Sequence, residues 1–473
     1  MKTKKQLTID TFSTESKLKP KLCYNISLND EISGSSGVTV AKFPTSLTDM
    51  SEIELDTEDM DFDKIKGVAY FKQYFKDVNS SRHRILLYCD DEKIYINQLF
   101  YGLSEVIWLY NLEFDSAPVT FAYKKNDTDS IILASENKMV VWHTNYLPYT
   151  ITDVPIITSM CMNEGVLFCT VKEPAFKVWY ATTLDAESVG EINESCNYIS
   201  LEDNLGDAEK ILTFDESVYV FREYGISKIN YVKKDISVSQ VYLSNSRIYA
   251  DTVNICGNVI VFMTKDGLYT FNGVKVSKLD IDLTDLISQN NDNACSASLD
   301  TRYFLALKMD FNDGKAVLCE SQDYVNNALL VIDISDLTYQ IIRGVDIGSL
   351  LAVKTEAFEK ILLTFNSGHD DKLGQIVNNS VCFSDNLPKY LLTEPLNENI
   401  GIKQYTKLTV DSSANVSFKL IFDDDTKTFT TDKAGISEFN FKVSSRQISL
   451  EISSSAEAID IKRIILDYYE YGD

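Results

Sequence analysis

The residues best suited to chemistry are sparse and scattered. His83, His143 and His369 are the chain's three histidines. A Ser-His-Asp or Cys-His centre needs one imidazole, so their scarcity leaves such a centre open but removes a His-rich metal site. His143 closes the strand-like run Met139-Val140-Val141-Trp142, where a packed or capping ring is expected, while His83 and His369 lie in polar, loop-like sequence. The nine cysteines are Cys23, Cys89, Cys161, Cys169, Cys196, Cys256, Cys295, Cys319 and Cys382, and no pair has the CxxC spacing of a zinc or redox centre. Several sit in apolar runs such as "ILLYC" and "GVLFCT", as small buried hydrophobes do in a reducing compartment. Their spacing alone does not bar a disulfide between distant members.

The carboxylates are plentiful but show no pattern. "DFNDGKAVLCE" (Asp310 to Glu320) approaches a calcium loop, yet Gly314 falls one place too early for an EF-hand, and a hairpin turn accounts for it better. Asp423–Asp425 could hold a calcium ion through oxygen ligands, although solvated turn carboxylates are the commoner case. A glycosidase needs two carboxylates facing across a pocket, and 70 acidic residues give no way to choose a pair. No GxSxG elbow, P-loop, GxGxxG, Asp-box turn or Trp-Asp repeat occurs. Trp179-Tyr180 and Tyr468-Tyr469 could form a carbohydrate platform, but core packing is the commoner use of such pairs. The sequence therefore assigns no catalytic, cofactor-binding or metal-binding residue, and no enzymatic activity is expected.

The elements that would position any site are strands. Tyr (26) and Phe (24) are abundant and Val, Ile and Thr cluster in short runs, which suits a pleated surface. An apolar run, a polar turn and a second strand recur: "ILLYC-DDE-KIYIN" from Ile85, "IILAS-EN-KMVVWH" from Ile131, "VLFCT-VKEPAF-KVWYAT" from Val166. The series continues with "VYVFR-EYG-ISKINY" from Val218, "VIVFM-TKDG-LYTFN" from Val259, "YFLALKM" from Tyr303 and "ILLTFNSG" from Ile361. Six intervals span the 276 residues from Ile85 to Ile361, a mean of 46, which fits a four-stranded antiparallel blade. An all-β fold is expected, with a β-propeller of about seven blades over residues 62–392. Six or eight blades fit nearly as well, and sandwiches in series are the competing arrangement. The apolar run is read as the innermost strand and the one after it as a half-exposed middle strand. In "TKDGLYTFNG" the Asp266-Gly267 pair should turn the chain within a blade, and Asn272-Gly273 should form a type I′ turn.

Residues 1–61 are polar and Ser-rich, then acidic, and read as an extended arm docked on the propeller or a neighbouring subunit. Residues 393–473 alternate cleanly, as in Phe418, Leu420 and Phe422 against Ser417, Lys419 and Ile421, and read as a small β-sandwich of five or six strands. "NLPKYLLTEPLNEN" reads as the linker. The formal charge of −25 disfavours nucleic-acid binding and adsorption to anionic membranes. No window approaches a membrane span, and the N-terminus lacks the apolar core of a signal peptide, so maturation in a cytosol is expected.

Three ordered segments carry a resemblance: "VWYATTLDAESVGE", "DAEKILTFDESVYVFREYGISKIN" and "GNVIVFMTKDGLYTFNGVKVSKLDIDLTDLI". Over residues 160–290 the chain resembles the β-propeller proteins of tailed-phage virions, the tail-hub, tail-nozzle and head–tail stopper components. The matching positions are Val218 to Phe221, Val261 to Gly273, and a run from Leu279 to Ile287 that leads in that family to a short helix. The large nozzle proteins of podophages carry tip domains beyond such a sandwich. The resemblance implies a structural protein of the virion tail, made in the host cytoplasm. It would form a homo-oligomeric ring around the DNA channel without specific DNA binding, and dock other tail, connector or fibre proteins. No cofactor is implied. The alternatives are a carbohydrate-binding or carbohydrate-degrading propeller and a cellular protein-interaction scaffold.

Overall fold

A computed structural model of the chain describes residues 2–9, 20–26, 28, 32–34, 37–40, 65–75, 80–89, 93–99, 106–125, 128–143, 148–181, 197–232, 235–281, 283–311, 324–344, 346–355, 358–367, 370–377, 388–396, 401–456 and 458–471. Among these residues every regular element is a β-strand. Four come from the N-terminal region: β1 (Lys2–Ile9), β2 (Pro20–Tyr24), β3 (Ile32–Gly34) and β4 (Gly37–Val40).

The middle of the chain builds seven four-stranded antiparallel sheets. The first is β5 (Ile65–Phe75), β6 (Ser80–Cys89), β7 (Lys93–Leu99) and β8 (Val106–Glu113), and the second β9 (Val119–Lys125), β10 (Thr128–Ser135), β11 (Lys138–His143) and β12 (Tyr149–Thr152). The third is β13 (Ile157–Asn163), β14 (Val166–Val171), β15 (Lys177–Ala181) and β16 (Tyr198–Ser200). The fourth is β17 (Ala208–Phe214), β18 (Ser217–Arg222), β19 (Gly225–Val232) and β20 (Asp235–Leu243), and the fifth β21 (Ile248–Cys256), β22 (Val259–Thr264), β23 (Gly267–Phe271) and β24 (Val276–Lys278). The sixth is β25 (Cys295–Leu299), β26 (Arg302–Leu307), β27 (Ala328–Asp333) and β28 (Tyr339–Arg343). The seventh has β29 (Asp346–Thr355), β30 (Phe358–Ser367) and β31 (Asp370–Val377), and its fourth, outermost strand is β4.

The leading strands β5, β9, β13, β17, β21, β25 and β29 each touch the next, and β29 returns to touch β5. The sheets are thus the blades of a closed β-propeller, with their leading strands round the axis. Its core is a set of blade-to-blade seams. Ile132, Val141 and Trp179 fill the second seam and Phe168, Val178 and Val220 the third. Phe221, Phe262 and Phe271 fill the fourth. Side-chain hydroxyls stitch the leading strands together: Ser159 bonds both the N–H and the C=O of Ile211, and Thr213 donates to the Met162 carbonyl at 2.8 Å.

The blade phase differs from the sequence expectation. The apolar runs are the second strands, not the innermost ones. Val166–Val171 is buried at every residue because both of its faces meet a neighbouring blade. The innermost strand precedes each run, and in the third to sixth blades a two-residue turn joins the two. Asn163 pairs with Val166, Phe214 with Ser217, Cys256 with Val259 and Leu299 with Arg302. Each of those turns opens on a residue with positive φ: Glu164, Asp215, Gly257 and Asp300. Two further expectations change. Thr264 pairs with Gly267 across Lys265-Asp266, as anticipated, but Asn272-Gly273 is no type I′ turn. Phe271 pairs with Val276 across a four-residue loop, the Asn272 side chain accepts from the N–H of Val274 and Lys275, and of those two residues only Gly273 has positive φ. The run after Leu279 makes a single turn closed by Ile287 N–H to Leu283 C=O, not a helix.

The C-terminal strands are β32 (Lys389–Thr393), β33 (Lys403–Ser412), β34 (Ser417–Phe422), β35 (Thr426–Thr430), β36 (Gly435–Ser445), β37 (Ile448–Ser454) and β38 (Ile459–Tyr471). They form two sheets closed over Leu408, Phe418, Leu450, Ile464 and their neighbours. One sheet runs β1-β38-β33-β36, with β3 also on β38, and the other β2-β32-β37-β34-β35. The stretch read as a linker contains β32, because Leu391 points into this core. The N-terminal strands therefore enter both sheets of the sandwich before β4 closes the propeller. Asn25 fixes the joint: its amide donates to Arg343 C=O at 3.2 Å and Pro388 C=O at 2.8 Å, and its Oδ1 accepts from Arg343 N–H.

Candidate functional site

The leading strands share a second device. In five of them the pairing slips close to the strand start: at Ile65/Gly67, Ile157/Ser159, Ala208/Lys210, Tyr249/Asn254 and Ile347/Ser349. A bulge inserts a residue with no partner in the ladder and re-aims it. Here the bulges bring Thr158, Glu209 and Gly348 to one axial rim. Thr158 donates to Thr170 Oγ1 at 2.8 Å, and Thr170 in turn reaches the Glu209 carbonyl at 3.4 Å.

Between the third and sixth blades this rim opens into a cavity of about 480 Å³. Arg247, just before β21, stands at its centre. Its guanidinium lies 2.8 Å from Glu209, 3.2 Å from Asp292 and 3.9 Å from Glu223, and Lys210 lies 3.7 Å from Asp251. Burial pushes the Glu209 carboxyl above the usual glutamate range, against the pull of Arg247, and Glu223 and Asp207 add to the upward push. The Glu209 contact leads the causes that raise Arg247. Ile157, Val171 and the buried Tyr249 form the apolar part of the wall. The arrangement is a charged, acid-rich axial mouth in which one guanidinium is shared among carboxylates.

None of these residues stood out in the sequence. The available signal was positional: each lies in the polar stretch before an apolar run, as in "DAEKIL" and "NDNACSAS". With the leading strand placed before the run, those stretches become the axial rim.

The residues singled out earlier are not brought together. His83 and His143 lie on β6 and β11 with side chains outside the described set, and His369 falls outside the described residues. Cys161, Cys169 and Cys256 are buried with free thiols, while Cys23 and Cys295 are partly buried and also free. Burial pushes the Cys161, Cys256 and Cys295 thiols up to about 12, which leaves them unreactive at neutral pH. Cys89 lies at the end of β6 with its side chain outside the described set, and Cys196, Cys319 and Cys382 lie outside the described residues, as does 312–320 of the calcium-like stretch. Asp423 and Asp425 serve their hairpin: Asp423 accepts from Arg446 N–H at 2.8 Å, and Asp425 accepts from Thr426 N–H at 2.7 Å and pairs with Lys427. Trp179 is buried in the second seam and Tyr468 in the sandwich, so neither offers a face to a sugar.

No protein-family model matches the chain. No curated protein matches it either. Among solved structures it is similar to the crystal structure of BBS1N in complex with ARL6DN, soaked with mercury, at 10% identity and a TM-score of 0.41. It is likewise similar to the lead-soaked form of that complex, at 11% identity and a TM-score of 0.40, and each match covers 67% of this chain and 93% of the other.

Proposed function

We propose that this chain is a structural, non-enzymatic protein of a tailed-phage virion, a tail-hub, tail-nozzle or head–tail connector component. Copies of it would ring the DNA channel, with the propeller held outward as a rigid platform for other tail proteins or fibres. The observation that supports this reading is the match between sequence and folding unit. The span that resembles the phage propellers, 160–290, runs from within β13 to beyond β24 and so takes in nearly all of three consecutive blades. The formal charge of −25 agrees with a conduit whose wall repels phosphate. Mass spectrometry and electron microscopy of purified virions test the proposal, with light scattering of the isolated chain to detect a ring. The protein is expected in mature particles at a fixed copy number. Its absence from them would overturn the reading.

A further inference from the structure

A second cleft lies away from the axial mouth, where the sandwich meets the propeller. It encloses about 570 Å³, within the range of small-ligand sites. Its wall is one cross-strand row. Tyr24 pairs with Tyr390, Tyr390 with Ser453, Ser453 with Ser417, and Ser417 with Thr430. Because side chains alternate across a sheet, these five share the face opposite Leu391, Ile452 and Phe418, which point into the sandwich core. At one end of the row the tyrosines are buried, stacked 5.3 Å apart against the cluster of the fifth and sixth blades. At the other end Ser453, Ser417 and Thr430 are accessible. Their hydroxyls have no hydrogen-bond partner among the described residues, whereas the neighbouring Ser454 hydroxyl is spent on the Asn415 carbonyl at 2.7 Å. The one charged residue of the lining, Lys389, is itself buried and donates to the Ala456 carbonyl at 2.8 Å.

We propose that this cleft binds a neutral polyhydroxyl ligand, an uncharged oligosaccharide. Adjacent strands lie about 4.8 Å apart, so the row presents three free hydroxyls in series, each able to donate and accept, as the hydroxyls of a polyhydroxyl ligand also do. The tyrosine end closes the row with an apolar step. Among the described residues the one charged side chain of the lining, Lys389, is buried, so the described part of the cleft offers neutral hydroxyl and amide groups. This inference stands apart from the virion reading.

The test uses the full chain with maltotetraose, cellotetraose and mannotetraose, and with tetragalacturonate as the acidic control. Saturation-transfer NMR and titration calorimetry report binding. The variant is S417V/S453V, which keeps strand propensity while removing two hydroxyls, with a thermal melt to establish that it folds. T430V serves if the double variant does not. At least one neutral tetrasaccharide should bind the wild type, with affinity falling about tenfold or more in the variant, as loss of two ordinary hydrogen bonds implies. No binding of any neutral probe overturns the proposal. So does binding that the variants leave unchanged, or binding of tetragalacturonate alone.

Discussion

Arg222 shows how a single side chain can organise a blade. It is 1% exposed and lies at the end of β18, where the guanidinium donates to the carbonyls of Gly206 and Leu201 and sits 2.7 Å from Asp203. Burial pulls its pKa down and Asp203 pulls it back up. Arg222→Met should leave the Gly206 carbonyl without its side-chain donor and remove the charge beside Asp203, at a cost of about 2 kcal/mol, read as a lowered denaturation midpoint with unchanged m-value. The turn before β18 behaves oppositely. Asp215 and Glu216 both hold positive φ without being glycine. Glu216→Gly should stabilise by up to about 1 kcal/mol. Gly273→Val should destabilise, since φ is +87° there and a Cβ would stand 3.4 Å from the Tyr219 hydroxyl. Glu209→Gln keeps an acceptor for Arg247 while removing a charge that burial penalises. Because the folded-state pKa is raised, the gain should be present at pH 7 and should fade as pH falls toward the ordinary glutamate value near 4.3, as thermal melts across pH would show.

At the scale of elements, the strands and their period were legible in the sequence, and their phase was not. An apolar run is conspicuous because its residues lack polar neighbours, so it reads as the beginning of each unit. The leading strands are written in mixed residues, such as "AEKILTF" and "CSASL", because one strand edge meets the axis and hydroxyls are needed for the seams. That mixture hid the rim and with it Glu209, Arg247 and Asp292. The hydroxyl row was hidden for a different reason: Tyr24, Tyr390, Ser453, Ser417 and Thr430 come together only through sheet order, which no local pattern encodes. β1 lies at the edge of one sandwich sheet, where Thr3 to Gln6 are exposed and Ile9 is buried. Besides its backbone ladder with β38 and the Lys5–Glu470 pair, it is held by Asp467, which lies 2.9 Å from Lys4 and accepts from Gln6 at 2.8 Å. Burial would raise the Asp467 carboxyl, but Lys4 and Gln6 hold it below the usual aspartate range. The stability it contributes is therefore present above about pH 4 and is lost as pH falls through the lowered folded-state pKa. Hydrogen exchange should show β1 opening in acid before the blades do, and Asp467→Asn should produce the same opening at neutral pH.

For the whole molecule, closure depends on β4, which supplies the outermost strand of the last blade from the opposite end of the sequence. Removal of residues 1–40 strips four strands and exposes the edges of β31, β32 and β38. Truncated protein should aggregate and melt well below the full chain, as scattering and calorimetry would show. The sequence showed that residues 1–61 differ from the rest, but not that they lace sandwich and propeller together, because pairing across such distances leaves no local trace. The same lacing governs time as well as stability. Lys5 and Glu470 are 465 residues apart, so β1 has no partner until β38 has been made. β1 is thus made long before it can pair. Long-range pairing of this kind slows folding, and the waiting N-terminal segment is open meanwhile to capture by the edge of a neighbouring nascent chain.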